Sequence, residues 1–198
     1  LLANSFAETI IVVMSLLFRL PIPITAVQIL WVNLATDSLP SMALTIDPKE
    51  KHLLHRAPRS PKAELLDNEM KTMIAVICAL TGGLLSLVYV WLLPSYSIEH
   101  LRTIVFTMLG VMSLSYVFSS RTLKAPIWKE GLFKNIPLLV AIFVGFLLQV
   151  SVVYVPFLQN IFETVPLGWF EWGLIAVASI VLVLSIELVK ILMLWRKS

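Results

Sequence analysis

Charge is scarce in these 198 residues: Lys and Arg number 15 and Asp and Glu 12, together 14% of the chain against 59% hydrophobic residues. That balance excludes an ordinary soluble domain and fits a polytopic membrane protein. Cysteine is scarcer still. The single Cys78 lies inside an apolar run, which excludes a disulfide framework and says nothing more about compartment. A signal peptide would show a basic start and a small-residue cleavage site, and the opening residues carry neither, so none is expected here. It has no alternating segments of about ten residues, which excludes a transmembrane barrel. Internal repeats and low-complexity tracts are also missing. The net charge of +3 is met by basic cytoplasmic loops, so nucleic acid is not an expected partner.

What the chain does have is apolar runs of about twenty residues, the length that crosses about 30 Å of hydrocarbon as a helix. Six spans are expected, at about 1–18, 24–44, 72–93, 102–118, 136–155 and 172–194. The fold class is therefore all-α, a polytopic membrane helix bundle with six transmembrane helices in one domain over 1–198. Positive charge is distributed asymmetrically. Lys49, Lys51, Arg56, Arg59, Lys62 and Lys71 flank the loop at about 45–71, Arg121, Lys124, Lys129 and Lys134 the loop at about 119–135, and Lys190, Arg196 and Lys197 the end. Only Arg19 and Arg102 fall on the other side, so the positive-inside rule makes those loops and both termini of the segment cytoplasmic. Trp91, Tyr96, Trp169, Phe170 and Trp172 then fall at the outer boundary as interfacial anchors.

Inside the second span, Trp31-Val32-Asn33-Leu34-Ala35-Thr36-Asp37 places an amide, a hydroxyl and a carboxylate among residues apolar enough for lipid. An ionisable group at bilayer depth costs several kcal/mol, so such groups usually face a bundle interior and line an ion or proton path. Asn33, Thr36 and Asp37 stand at i, i+3 and i+4, which on an α-helix turns all three to one side. The first two spans form a hairpin around Pro21 and Pro23. Counted from it, Glu8 lies about ten residues, or roughly 15 Å, down its helix, and Asn33 to Asp37 roughly 14 to 20 Å down theirs. The two acids meet near mid-membrane, and Ser5 adds a hydroxyl on the face of Glu8. Together these groups offer about seven oxygens, close to the six to eight that Ca²⁺ takes. No Cys or His stands at this depth, which argues against copper or zinc. Two carboxylates in a low-dielectric setting repel each other, so an ion-free site holds a proton, and proton counter-transport is a natural consequence. Pro40 breaks helical hydrogen bonding and frees carbonyls beside the site.

With Ser38-Leu39-Pro40 following it, the heptapeptide resembles the sixth transmembrane helix of P-type cation ATPases of the calcium-pump type. Ala43-Leu44, Asp47-Pro48 and Arg56-Ala57-Pro58-Arg59-Ser60-Pro61 resemble the loop after that helix. Six spans match the family's fifth to tenth helices over essentially the whole chain, although the specific motifs lie within the first 61 residues. The resemblance implies a C-terminal fragment of a ten-helix transport domain, in a pump that cycles through an aspartyl-phosphate. The family's phosphorylation motif, nucleotide-binding domain and actuator do not occur in this sequence. ATP and Mg²⁺ would therefore act only through cytoplasmic domains elsewhere in the pump. The implied partners are the lipid bilayer, the N-terminal half and those domains, and the expected location is the plasma membrane. Carried over residue by residue, Asn33, Thr36 and Asp37 match the sixth-helix ligands and Glu8 the fifth-helix acid. Ser5 replaces the fifth-helix asparagine, with Asn4 adjacent. If Phe118-Ser119-Ser120 marks the end of the eighth helix, Ser113 stands where two-site pumps carry an acid, which points to one Ca²⁺ per cycle and leaves Mn²⁺, Na⁺, K⁺ and H⁺ open.

Two alternatives remain on the residues alone: a passive six-helix cation channel or carrier using Glu8 and Asp37 as filter or proton relay, and a non-catalytic membrane scaffold. Other features have plainer readings. Glu187 and Lys190 make an i, i+3 ion pair with a snorkelling lysine, His52 and His55 are solvated loop residues, and Gly82-Gly83 permits close helix packing.

Overall fold

The computed structural model describes residues 2–45, 68–120 and 135–195. Among them every regular element is helical: α1 (Leu2–Leu17), α2 (Ala26–Trp31), a π-helical segment (Val32–Ser38), α3 (Leu39–Thr45), α4 (Asn68–Leu92), α5 (Ile98–Ser120), α6 (Ile136–Tyr154), α7 (Pro156–Phe162) and α8 (Trp169–Trp195). His52, His55 and most of the two basic loops lie outside the described residues.

Four helices, α4, α5, α6 and α8, are long and apolar enough to cross a membrane. The first two of the six expected spans are not among these four. Helix α1 has 16 residues, just below the usual spanning length of about 17 to 25. The second span is unbroken in sequence but changes winding twice, from α2 through the π segment to α3. Proline explains the change. In an α-helix the Pro40 ring would clash with the carbonyl of Thr36 and supply no N–H to it, and the wider π turn upstream relieves the clash. Side chains then take up loosened carbonyls: Ser38 Oγ donates to Asn33 O at 2.7 Å, and Ser41 Oγ to Asp37 O at 2.7 Å.

Helix α5 is the centre of the bundle, packing against α4, α6, α8 and the π segment. It is the least apolar of the four spanning helices, yet 78% of its apolar window is buried, against 28% for α6, the most apolar. A helix surrounded by protein can carry Thr and Ser inward, whereas one facing lipid must be apolar outward. Helix α1 packs along α4, where Gly82 leaves room for Ile10: a Cβ at Gly82 would stand 2.9 Å from Ile10 Cγ2. Nothing lies within 4 Å of a Cβ at Gly83.

The outer ends are tied by polar contacts. Thr25 caps α2 through a capping box with Gln28, whose Nε2 donates to Phe162 O at 2.8 Å. Tyr89 Oη donates to Pro21 O at 2.6 Å and Arg102 Nε to Ile22 O at 3.0 Å, so α4 and α5 both hold the hairpin connector. Tyr96 Oη donates to Glu171 Oε1 at 2.9 Å, a bond that pushes the tyrosine hydroxyl above its ordinary titration range. Val155 is extended because the residue before Pro156 is kept out of the helical region. Helix α7 then forms between the fifth and sixth expected spans. At the other end, Lys190 Nζ meets Glu187 Oε1 at 2.8 Å, but the lysine is 1% exposed. It is held inside the bundle and does not snorkel.

Candidate cation site

Three elements bring the site together. Helix α1 contributes Asn4 and Glu8, the π segment Asn33 and Asp37, and α5 Ser113. Asp37 is 3% exposed and Glu8 5% exposed. Both Asp37 oxygens accept hydrogen bonds, Oδ2 from Asn4 Nδ2 at 3.1 Å and Oδ1 from Ser113 Oγ. Asn33 Nδ2 donates to Glu8 Oε2 at 3.4 Å and to Ile29 O at 3.0 Å. Among the described residues no Lys or Arg pairs with either acid. Two buried oxygens, Asn4 Oδ1 and Glu8 Oε1, have no hydrogen-bond partner. Chemically this is a hard-oxygen cluster carrying two carboxylates and no compensating cation, an arrangement that favours binding a metal cation or a proton. The described residues hold no group of three His, Cys, Asp or Glu, so amide and hydroxyl oxygens would have to complete any coordination.

Not every expected residue enters the cluster. Ser5 faces outward, and its backbone carbonyl accepts from Thr9 Oγ1 at 2.9 Å. Asn4, one residue earlier, takes the inner position, since a single step turns a side chain by more than a quarter of a helical turn. Thr36 is fully buried but its Oγ1 donates to Val32 O at 2.8 Å. Its methyl lies toward α5, where a Cβ on Gly110 would stand 3.4 Å from Thr36 Cγ2. The cause is local. In the π winding, i+3 no longer shares the face that i and i+4 share, so Asn33 and Asp37 stay together while Thr36 turns away.

Of the buried polar residues that the sequence reading did not single out, Gln149 stands nearest the π segment's contact with α5. Gln149 on α6 is 0% exposed and neither its Oε1 nor its Nε2 has a partner. An amide deep in a strongly apolar span is a signal the sequence offers, as polar groups there mark helix contacts or paths.

Helices of spanning length enclosing buried acids define an integral membrane protein of the helix-bundle class. Residues 21–192 match the family model described as "Cation transporting ATPase, C-terminus", and the chain belongs to that family. It is 33% identical over 177 residues to a "Calcium-transporting ATPase" of Bacillus subtilis (strain 168), covering 88% of this chain and 20% of that protein. It is 32% identical over 193 residues to "Calcium-transporting ATPase type 2C member 2" of Rattus norvegicus, covering 96% of this chain and 20% of that protein. The chain thus spans about a fifth of the length of the curated relatives it matches.

Proposed function

We propose that this chain is the ion-translocation part of an ATP-driven pump, and that Asp37, Glu8, Asn33 and Asn4 coordinate the transported cation near mid-membrane with Ser113 beside them. One observation carries the reading. Asn4 Oδ1 and Glu8 Oε1 are buried oxygens without partners, next to a second buried carboxylate. Burying such groups costs free energy unless something binds them. Ca²⁺ is the cation of choice because the ligand set is all hard oxygen and because the relatives are named as calcium-transporting. Thr36 serves by shaping the π segment, and Ser5 has no part in coordination.

Protons are counter-transported, since two adjacent carboxylates without a cation do not both stay ionised. ATP and Mg²⁺ act through cytoplasmic domains in the remainder of the pump, and the N-terminal half completes the ion site. Both ends of the segment face the cytoplasm, across the plasma membrane.

The test is ion-dependent phosphoenzyme formation by the full-length parent, scanned across Ca²⁺, Mn²⁺, Na⁺, K⁺ and pH. Asp37→Asn is expected to raise the Ca²⁺ requirement at least about tenfold, equivalent to about 1.4 kcal/mol of binding. Phosphorylation that ignores Ca²⁺, or an Asp37→Asn variant with the parental requirement, would overturn the proposal.

A further inference from the structure

Gln149 is the only amide on α6, and it is fully buried with donor and acceptor both unused. Its tip lies over the one position of α5 that lacks a side chain: a Cβ on Gly110 would stand 2.9 Å from Gln149 Oε1 and 3.0 Å from its Cδ. That Cβ would also stand 3.4 Å from Thr36 Cγ2, so amide, glycine and Thr36 converge on one spot where α6, α5 and the π segment meet. One turn before Gly110, on the same face of α5, Thr107 is also fully buried with its hydroxyl unpartnered.

The unused groups specify their guest. A bare cation would engage only oxygens and would face the Gln149 NH₂ with its positive end. Water donates to Oε1 and accepts from Nε2, and so satisfies both. Buried water of this kind is held by two to four polar partners, and Gln149 with Thr107 supplies three polar atoms. Thr36 is adjacent in sequence to Asp37, so this spot borders the carboxylate cluster at neighbouring residues of the π segment.

We infer that Gln149, packed over Gly110, forms with Thr107 a hydration subsite of the cation path, holding water that supports the transported ion from the α6 side of the π segment. Gln149 is on this account a specificity-determining residue, because the water a site retains decides which ions bind without full dehydration. The inference rests on the cation-site reading given above.

The experiment uses the full-length pump and two lesions that act differently. Gln149→Leu removes the polar groups at similar size, and Gly110→Ala leaves them in place but displaces the amide. Each is expected to raise the Ca²⁺ concentration for half-maximal phosphorylation from ATP about tenfold, as for the loss of a bridging water that cannot be replaced. Phosphorylation from inorganic phosphate in the absence of Ca²⁺ should keep its parental maximum. A parental Ca²⁺ requirement, or an equal fall in both reactions, overturns the inference. If Gln149→Leu does not reach the membrane, Gly110→Ala decides by the same criterion. Asp37→Asn separates the two readings. A shift there without one in Gln149→Leu sinks only the hydration subsite, while no shift in Asp37→Asn sinks the cation site itself.

Discussion

Asn4 and Ser5 differ by one position and by everything that matters to the site. Asn4 is fully buried and donates to Asp37, whereas Ser5 is exposed. Asn4→Ala leaves a buried carboxylate oxygen without its amide donor and is expected to destabilise the detergent-solubilised pump by about 1 to 3 kcal/mol. Ser5→Ala should stay within about 0.5 kcal/mol. Thermal unfolding of the two variants checks the contrast, and equal behaviour would return Ser5 to the site. Glu8, Asn33 and Asp37 were legible from spacing and depth, because a polar group in lipid is costly wherever it sits and must find partners. The choice between Asn4 and Ser5 was not. It depends on the rotation of α1, which its packing along α4 decides.

Among the elements, two contacts decide how the site is framed. The π segment between α2 and α3 separates Thr36 from the face of Asn33 and Asp37, a consequence of Pro40 that ordinary α-helical periodicity does not foresee. Gly82 lets α1 approach α4, and it behaves differently from its neighbour. Gly82→Leu would drive a side chain into Ile10 and is expected to cost about 1 to 3 kcal/mol through overpacking. Gly83→Leu, with open space around its Cβ position, should cost less than about 0.5 kcal/mol. Comparing midpoints of thermal unfolding tests the pair. A Gly83→Leu variant as unstable as Gly82→Leu would show that α4 packs through the other glycine.

For the whole molecule, the outer ends are interlocked: Tyr89 and Arg102 hold the hairpin connector, and Tyr96 reaches Glu171 across to α8. If that face is the extracytoplasmic one, Ser95→Cys, at an exposed turn, should react with a membrane-impermeant maleimide on intact cells in a background free of other cysteines. Thr45→Cys, exposed at the far end of α3, should react only after permeabilisation. The reverse pattern would invert the topology drawn from the basic loops.

Membrane class, helical architecture and the burial of the two acids were legible before any packing was known. Each follows from local quantities: the length of an apolar run, the scarcity of charge and the cost of a carboxylate in lipid. Tertiary structure alone decided that α5 is central, that Asn4 displaces Ser5, that Thr36 turns toward Gly110 and that Gln149 joins them from α6. These are matters of helix rotation and of which faces meet. They depend on close packing between residues far apart in the chain, where a hundred-degree turn or one missing Cβ changes the neighbour.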